Sequence, residues 1–193
     1  ERRRGISWTD GRGTPSAAVT ARSGAGLMAS ARVTGTRDSA RHAGAEAVVD
    51  LEGGYGIDVG LIRVEARAIG HLFAGADPID GDSMDYGELG AGAGLLFGPV
   101  QLDLFGRYAP PQDAIGGDNL YVAARAGAGI PLTPFTLRAG VGRSSGSVDD
   151  PVRAARLRPA GRYHDWMFGV DHVLGPLTLA AEYTGTDIDD RAD

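Results

Sequence analysis

The sequence predicts an all-β protein, an antiparallel transmembrane up-and-down β-barrel of about twelve strands. Three observations carry this. Apolar and polar side chains alternate residue by residue along most of the 193 residues, tight and long connections take turns, and one face holds too many ions for a dry core. Eleven strands are recognisable, and 1–193 reads as a single domain.

Arg4 to Thr9 reads as the end of a first strand. Ser16 to Ser23 is the second, with Ala17, Val19 and Ala21 opposite Thr20 and Arg22. In Leu27 to Thr36 the apolar set is Leu27, Ala29, Ala31 and Val33, and Arg32 lies on the other parity. Ala45 to Ile57 sets Ala47, Val49, Leu51, Tyr55 and Ile57 against Glu46, Asp50 and Glu52. Ile62 to Leu72 sets Ile62, Val64, Ala66, Ala68 and Leu72 against Arg63, Glu65, Arg67 and His71.

The pattern repeats to the end. Leu89 to Phe97 alternates with Glu88 and a glycine ladder, Gly90, Gly92 and Gly94, while Val100 to Tyr108 alternates with Gln101, Asp103 and Arg107. Leu120 to Ile130 carries Arg125 on its polar parity, and Phe135 to Gly142 carries Arg138. Trp166, Phe168 and Val170 oppose Asp165 and Asp171; Leu177, Leu179, Ala181 and Tyr183 oppose Glu182.

Connections separate a membrane barrel from a soluble sandwich, the competing reading, because outer-membrane barrels alternate short periplasmic turns with longer external loops. Ser23–Gly26, Asp58–Gly60, Gly98–Pro99, Leu132–Pro134 and Gly175–Pro176 are tight; Arg37–Gly44, Gly75–Asp85, Pro110–Asn119 and Ser145–Gly161 are long. Strands of about ten residues suit a tilted bilayer crossing better than the soluble norm of about five to six. Tyr55, Phe97 and Phe135 beside the short turns, with Tyr108, Trp166 and Tyr183 beside the long loops, would form two interfacial girdles.

The polar parity collects Arg22, Arg32, Arg63, Arg67, Arg107, Arg125 and Arg138, with Glu46, Asp50, Glu52, Glu65, Glu88, Asp103, Asp165, Asp171 and Glu182. Sixteen ions in a dry core would cost several kcal/mol each. A hydrated lumen removes that cost, so these residues and His71 are expected to line a pore. Across the turn at Asp58 and Val59, Asp50 is expected near Arg67 and Glu52 near Glu65. The same charges could instead pair into a network that plugs a narrow barrel.

Single-chain bacterial barrels have an even strand count. A first strand rising at Arg4 to Thr9 leaves the eleventh, Leu177 to Thr186, rising too, so a descending twelfth is expected to be missing from a truncated chain. The alternative is a ten-stranded barrel with Arg4 to Thr9 as a tail. The start, Glu1 and three arginines with no apolar stretch behind them, is that of a mature or trimmed product.

Arg4-Gly5-Ile6-Ser7-Trp8-Thr9-Asp10-Gly11, followed by Thr14-Pro15-Ser16-Ala17, resembles the N-terminal signature of the TorF family of porins, and the later hairpin order looks similar throughout. The resemblance implies an outer-membrane barrel and a pore, without a substrate. Asp10 and Gly11 are turn residues, and Gly5 permits close packing.

Composition excludes several chemistries. All 19 basic residues are Arg, so P-loop and Schiff-base sites have no Lys, and no Cys is present for thiolate, zinc-ribbon or iron–sulfur chemistry. The net charge of −6 and scattered arginines argue against a nucleic-acid partner. The longest uncharged run, Leu89 to Leu102, is too short for a membrane helix and holds four glycines. The 31 glycines lack a three-residue period, and many lie on the inward parity, where they give room.

Gly142-Arg143-Ser144-Ser145-Gly146 matches a nucleophile elbow, with His164 and His172 downstream, but it lies where a strand enters a loop rather than at a strand-to-helix turn. Asp77, Asp80, Asp82 and Asp85 suggest a cation loop without EF-hand spacing. No enzyme, cofactor or metal site is expected. The expected location is the bacterial outer membrane, and the expected partners are its lipid, lipopolysaccharide and small hydrophilic solutes. Outward Ala29, Ala31, Ala124, Ala126 and Ala128 make a smooth face that could contact a second copy or another membrane protein.

Overall fold

The computed structural model describes residues 2–78 and 81–188. Ten strands form one antiparallel sheet in strict sequence order: β3 (Ser16–Arg22), β4 (Leu27–Ser39), β5 (Ala45–Val59), β6 (Ile62–Ala74), β7 (Tyr86–Phe97), β8 (Val100–Gln112), β9 (Gly117–Gly129), β10 (Phe135–Ser145), β11 (Tyr163–Leu174) and β12 (Leu177–Thr186). Every spatial neighbour is a sequence neighbour, the up-and-down order that the alternating connections foretell. Two further strands, β1 (Arg2–Arg3) and β2 (Ile6–Ser7), form a separate hairpin, so the twelve strands among the described residues divide ten and two.

That division corrects the first strand. Arg4 to Thr9 does not join the sheet, because Arg4 (φ 53°) and Gly5 (φ 78°) both take the left-handed backbone of a two-residue hairpin turn and reverse the chain. The hairpin lies inside the curled sheet. Arg3 reaches Thr34 on β4 and Asp50 on β5, Arg4 reaches Glu88 on β7 and Tyr121 on β9, and Gly5 packs against Asp165 on β11 and Thr186 on β12. Only a sheet wrapped around the hairpin can touch it from so many strands.

Side-chain alternation sorts the two faces as expected. Outward residues are open on the external face, among them Leu51, Leu89, Leu104, Val141, Phe168 and Tyr183, and no soluble domain leaves such a continuous apolar band uncovered. The girdle aromatics Tyr55, Phe97, Phe135 and Tyr108 are exposed outward. No helix among the described residues is long and apolar enough to cross a membrane.

The β5–β6 register also differs from expectation. The turn closes at Val59 and Ile62 over Gly60 (φ 64°), which pairs Asp50 with His71, Glu52 with Ile69 and Gly54 with Arg67. Asp50 is therefore not beside Arg67, nor Glu52 directly opposite Glu65. The hairpin is longer than expected because Asp58 and Val59 continue the strand. At the sheet edges, β3 and β12 run in opposite directions, and among the described residues no ladder joins them. Asp80 and the acidic stretch of Asp189, Asp190, Arg191, Ala192 and Asp193 lie outside the described residues.

Candidate functional site: a charged lumen beneath an N-terminal plug

The long-loop end of the barrel is closed by a packed cap. Ile6 and Trp8 of the hairpin region join Phe73, Met84, Tyr86, Ile115, Leu157 and Tyr163 in one buried cluster. Burying side chains of this size contributes roughly 1.5–3 kcal/mol each. Arginines stitch the loops over it. Arg156 donates to the Ala114 and Met84 carbonyls and lies over the Phe73 ring at 4.8 Å, while Arg158 donates to the Asp118 and Ser147 carbonyls. Asp150 caps α1 (Pro151–Ala154) by accepting from Val152 N at 2.9 Å and Arg153 N at 3.2 Å, and Arg153 pairs with Asp82 at 2.9 Å.

His42 sits in this cap with no exposed surface, its ring 4.5 Å from that of Trp8 and 4.8 Å from that of Phe73. Neither ring nitrogen has a hydrogen-bond partner among the described residues. Burial, then the cations of Arg156 and Arg41, push its pKa down to about 2, so it is neutral at any ordinary pH.

Below the cap the hairpin arginines meet the carboxylates of the sheet. Arg3 pairs with Asp50 at 2.7 Å and lies over Trp8 at 4.3 Å. Arg4 Nη2 contacts both oxygens of Glu88 at 2.6 Å, and its guanidinium lies over Tyr121 at 4.8 Å. His71 completes the group, with Nδ1 2.7 Å from Asp50 and Nε2 3.5 Å from Glu88. Burial opposes charge on Arg4, but the Glu88 carboxylate outweighs it and holds the guanidinium above its usual range.

Two chambers occupy the rest of the lumen. A middle chamber of about 500 Å³ lies directly under the hairpin, bounded by Arg2, Arg3 and Arg4 above and by residues from all ten sheet strands around it. A vestibule of about 640 Å³ lies at the short-turn end of β6, β7 and β8. Gln101, Asp103, Phe105, Arg107 and Arg125 line both, so the two spaces meet there.

The structure brings most of the expected residues together. Arg22, Arg63, Glu65 and Arg67 line the vestibule; Arg32, Asp50, Glu52, His71, Arg138, Asp165 and Glu182 line the middle chamber; Asp103, Arg107 and Arg125 line both. Glu88 faces inward but is sealed under Arg4, and Asp171 is engaged by Arg138 at 2.9 Å. Glu46 is the departure: it is exposed at the long-loop rim, beside Gly75, because β5 extends beyond the barrel there.

Within the lumen, Arg67 bonds Glu52 at 2.6 Å and also Glu65, Arg63 bonds Asp58 at 3.1 Å, and Arg138 reaches Glu182 at 3.2 Å. Inward glycines oppose these long side chains across the ladder. Gly54 and Gly90 flank Arg67, Gly90 also faces Arg107, Gly140 faces Arg125, and Gly169 faces Arg138. A side chain at Gly54 would lie 3.1 Å from the Arg67 stem, and one at Gly140 3.1 Å from that of Arg125. Glycine on one strand thus lets arginine on the next lie along the wall instead of across the lumen.

Three expectations for chemistry resolve in the same geometry. Ser144 lies in extended β10, fully buried, and donates to Asn119 at 2.8 Å. His164 pairs with Asp187 at 2.9 Å, and His172 stacks on Phe135 at the opposite end of β11, so no nucleophile–base pair forms. In the acidic loop, Asp85 accepts from Phe73 N at 2.7 Å and Asp82 is held by Arg153; among the described residues no cluster of possible metal ligands forms.

The sequence reading missed the plug. Arg2, Arg3 and Arg4 are visible as a cationic start, and Ile6 and Trp8 as apolar neighbours, but alternation alone reads the segment as strand. The informative signal was Arg4-Gly5, a turn dipeptide, beside three consecutive cations in a protein whose lumen carries nine carboxylates by parity.

Residues 2–193 match the family described as "Bacterial protein of unknown function (Gcw_chp)". The chain belongs to the Gcw_chp family. This family match does not itself reproduce the TorF resemblance of the N-terminal motif. Among solved structures, a porin refined at 1.8 Å resolution is similar with a TM-score of 0.50 and 11% identity, over 93% of this chain and 58% of the porin chain. The outer-membrane channel DcaP of Acinetobacter baumannii is similar with a TM-score of 0.46 and 12% identity, over 90% of this chain and 56% of that one. This Gcw_chp chain therefore spans a little over half the length of those channels. No curated protein matches it in sequence. At such identity the porin likeness establishes the fold, and the fold alone.

Proposed function

We propose that this Gcw_chp protein is an outer-membrane channel of the porin type that passes small hydrophilic solutes, with the β1–β2 hairpin as its gate. The observation that carries the reading is the meeting of two charged chambers below the hairpin, about 640 and 500 Å³, at Gln101, Asp103, Phe105, Arg107 and Arg125. A barrel serving only as a wall needs no such hydrated interior. The resemblance of Arg4–Gly11 to the TorF porins supports the same reading. By the usual disposition of short turns, the vestibule opens to the periplasm and the capped loops face outward, towards lipopolysaccharide. Liposomes holding the full-length protein should swell in small sugars, and swelling should rise when Arg3 and Arg4 are replaced by Ala.

A closed structural barrel is the second reading, favoured by the packed cap over the long-loop end. Under it, no hairpin variant would admit solute. The interior of Ser144 leaves hydrolysis without support. The outward alanines remain candidates for contact with a second copy; Ala93, Ala124, Ala126 and Ala139 form the floor of an apolar depression on the outer face.

A further inference from the structure

We propose that Arg107 and Arg125, on either side of Phe105, form an oxyanion-binding site where the two chambers meet, so that the solutes retained in the lumen carry carboxylate or phosphate groups. The inference rests on the channel reading for its consequence in transport, but not for the binding itself. Arg3, Arg4, Arg63, Arg67 and Arg138 each hold a carboxylate. Arg107 and Arg125 differ. Neither forms a hydrogen bond or ion pair among the described residues, and both lie against one aromatic ring, at 6.0 and 5.0 Å from the Phe105 centroid.

Phe105 itself is buttressed by Tyr121 at 6.1 Å, and it stands opposite Gly92, where a side chain would press on the Phe105 Cβ at 3.1 Å. Both guanidinium groups therefore lie beside one supported ring, with no carboxylate among the described residues bonded to their N–H groups. A guanidinium fork matches the two oxygens of a carboxylate or phosphate, and cation–π contact orients it without neutralising it. The nearest carboxylate by register is Asp103, directly opposite Arg125; it is turned to Gln101, whose Nε2 donates to it at 2.8 Å. Counted once each, the ten arginines that line the two chambers face seven lining carboxylates and the inward Glu88 and Asp171, so the lumen keeps a small positive excess in a chain whose net charge is −6.

The test is equilibrium binding of inorganic phosphate and of acetate to the full-length protein in detergent micelles, by calorimetry at constant ionic strength held with chloride. Saturable binding is expected for phosphate, weakened at least tenfold in R107Q/R125Q and unchanged in R162Q, whose exposed side chain lines neither chamber. D103N should tighten it severalfold, a gain that a misfolded protein cannot give. Equal binding of acetate would mark the site as general for carboxylates, and its absence would restrict it to phosphate. No saturable binding of either anion, or binding unaltered in a folded R107Q/R125Q, would overturn the proposal. Liposome swelling read in parallel keeps the two ideas separate: loss of swelling with phosphate binding intact would defeat the channel and leave the site.

Discussion

Arg4 Nη2 lies 2.6 Å from both oxygens of Glu88, whose side chain has no exposed surface. A residue in a two-residue hairpin turn thereby neutralises a carboxylate near the start of barrel strand β7. Removing one member of a buried pair strands the other, at a cost of about 3–5 kcal/mol. R4A and E88A should each release the hairpin and raise amide exchange from Ile6 to Thr9 by at least a hundredfold. The double variant should lose less than the sum of the two. Unchanged exchange in R4A would show that the cap, not the pair, holds the plug.

The cap should weaken in acid through His42. Its pKa is pushed down to about 2 inside the cap, by burial and then by Arg156 and Arg41, with Arg3 and His71 also facing it. In the opened state it titrates near 6.5. A depressed pKa gives stability that is complete above the open-state value and is lost as pH falls towards the closed-state value, at about 1.4 kcal/mol per pH unit. Trp8 packs on His42, so quenching of its fluorescence by acrylamide should rise as pH drops from 7 to 4. H42F, which keeps the ring stacking and removes the proton site, should flatten that rise.

Glycine substitutions should divide by what they face. At Gly90 a methyl group would meet the Arg107 stem at 3.7 Å, an ordinary contact, and G90A is expected to leave the melting temperature within a few degrees. At Gly142 it would fall on the Tyr121 hydroxyl and 2.5 Å from Asp165 Oδ2, forcing apart a pair hydrogen-bonded at 3.2 Å. G142A should cost about 1–3 kcal/mol. Heat-modified gel mobility reads both.

Arg67 holds Glu52 and Glu65 together. R67Q would leave two carboxylates uncompensated at the head of the vestibule, so cation permeability should rise. Under a salt gradient the reversal potential is expected to move towards the cation value in R67Q, and to move less in R63Q, whose single partner Asp58 is already exposed. Identical potentials would place Arg67 off the conduction path.

Periodicity made the sheet legible because a barrel wall has two unlike solvents, and each strand from Ala17 to Tyr183 records them in alternate residues. It made most lumen residues legible for the same reason. It could not locate Glu46, because alternation does not say where a strand leaves the membrane. Nor could it set Asp50 opposite His71, since a two-residue change in where a turn closes moves every cross-strand pair. The plug was hidden by being short: Arg4 to Thr9 alternates as a strand does, and only the left-handed backbone at Arg4 and Gly5 turns it inward. The partnering of arginines was equally out of reach, because it depends on side-chain reach across glycines such as Gly54 and Gly140.

Single-channel recording in planar bilayers tests the gated-channel account most directly, comparing the wild-type chain with R3A/R4A. Wild type should open rarely, and the variant should give frequent steps whose size grows with salt concentration. Silence from a correctly folded variant, with its hairpin shown by amide exchange to be released, would contradict the account and leave a closed barrel in its place.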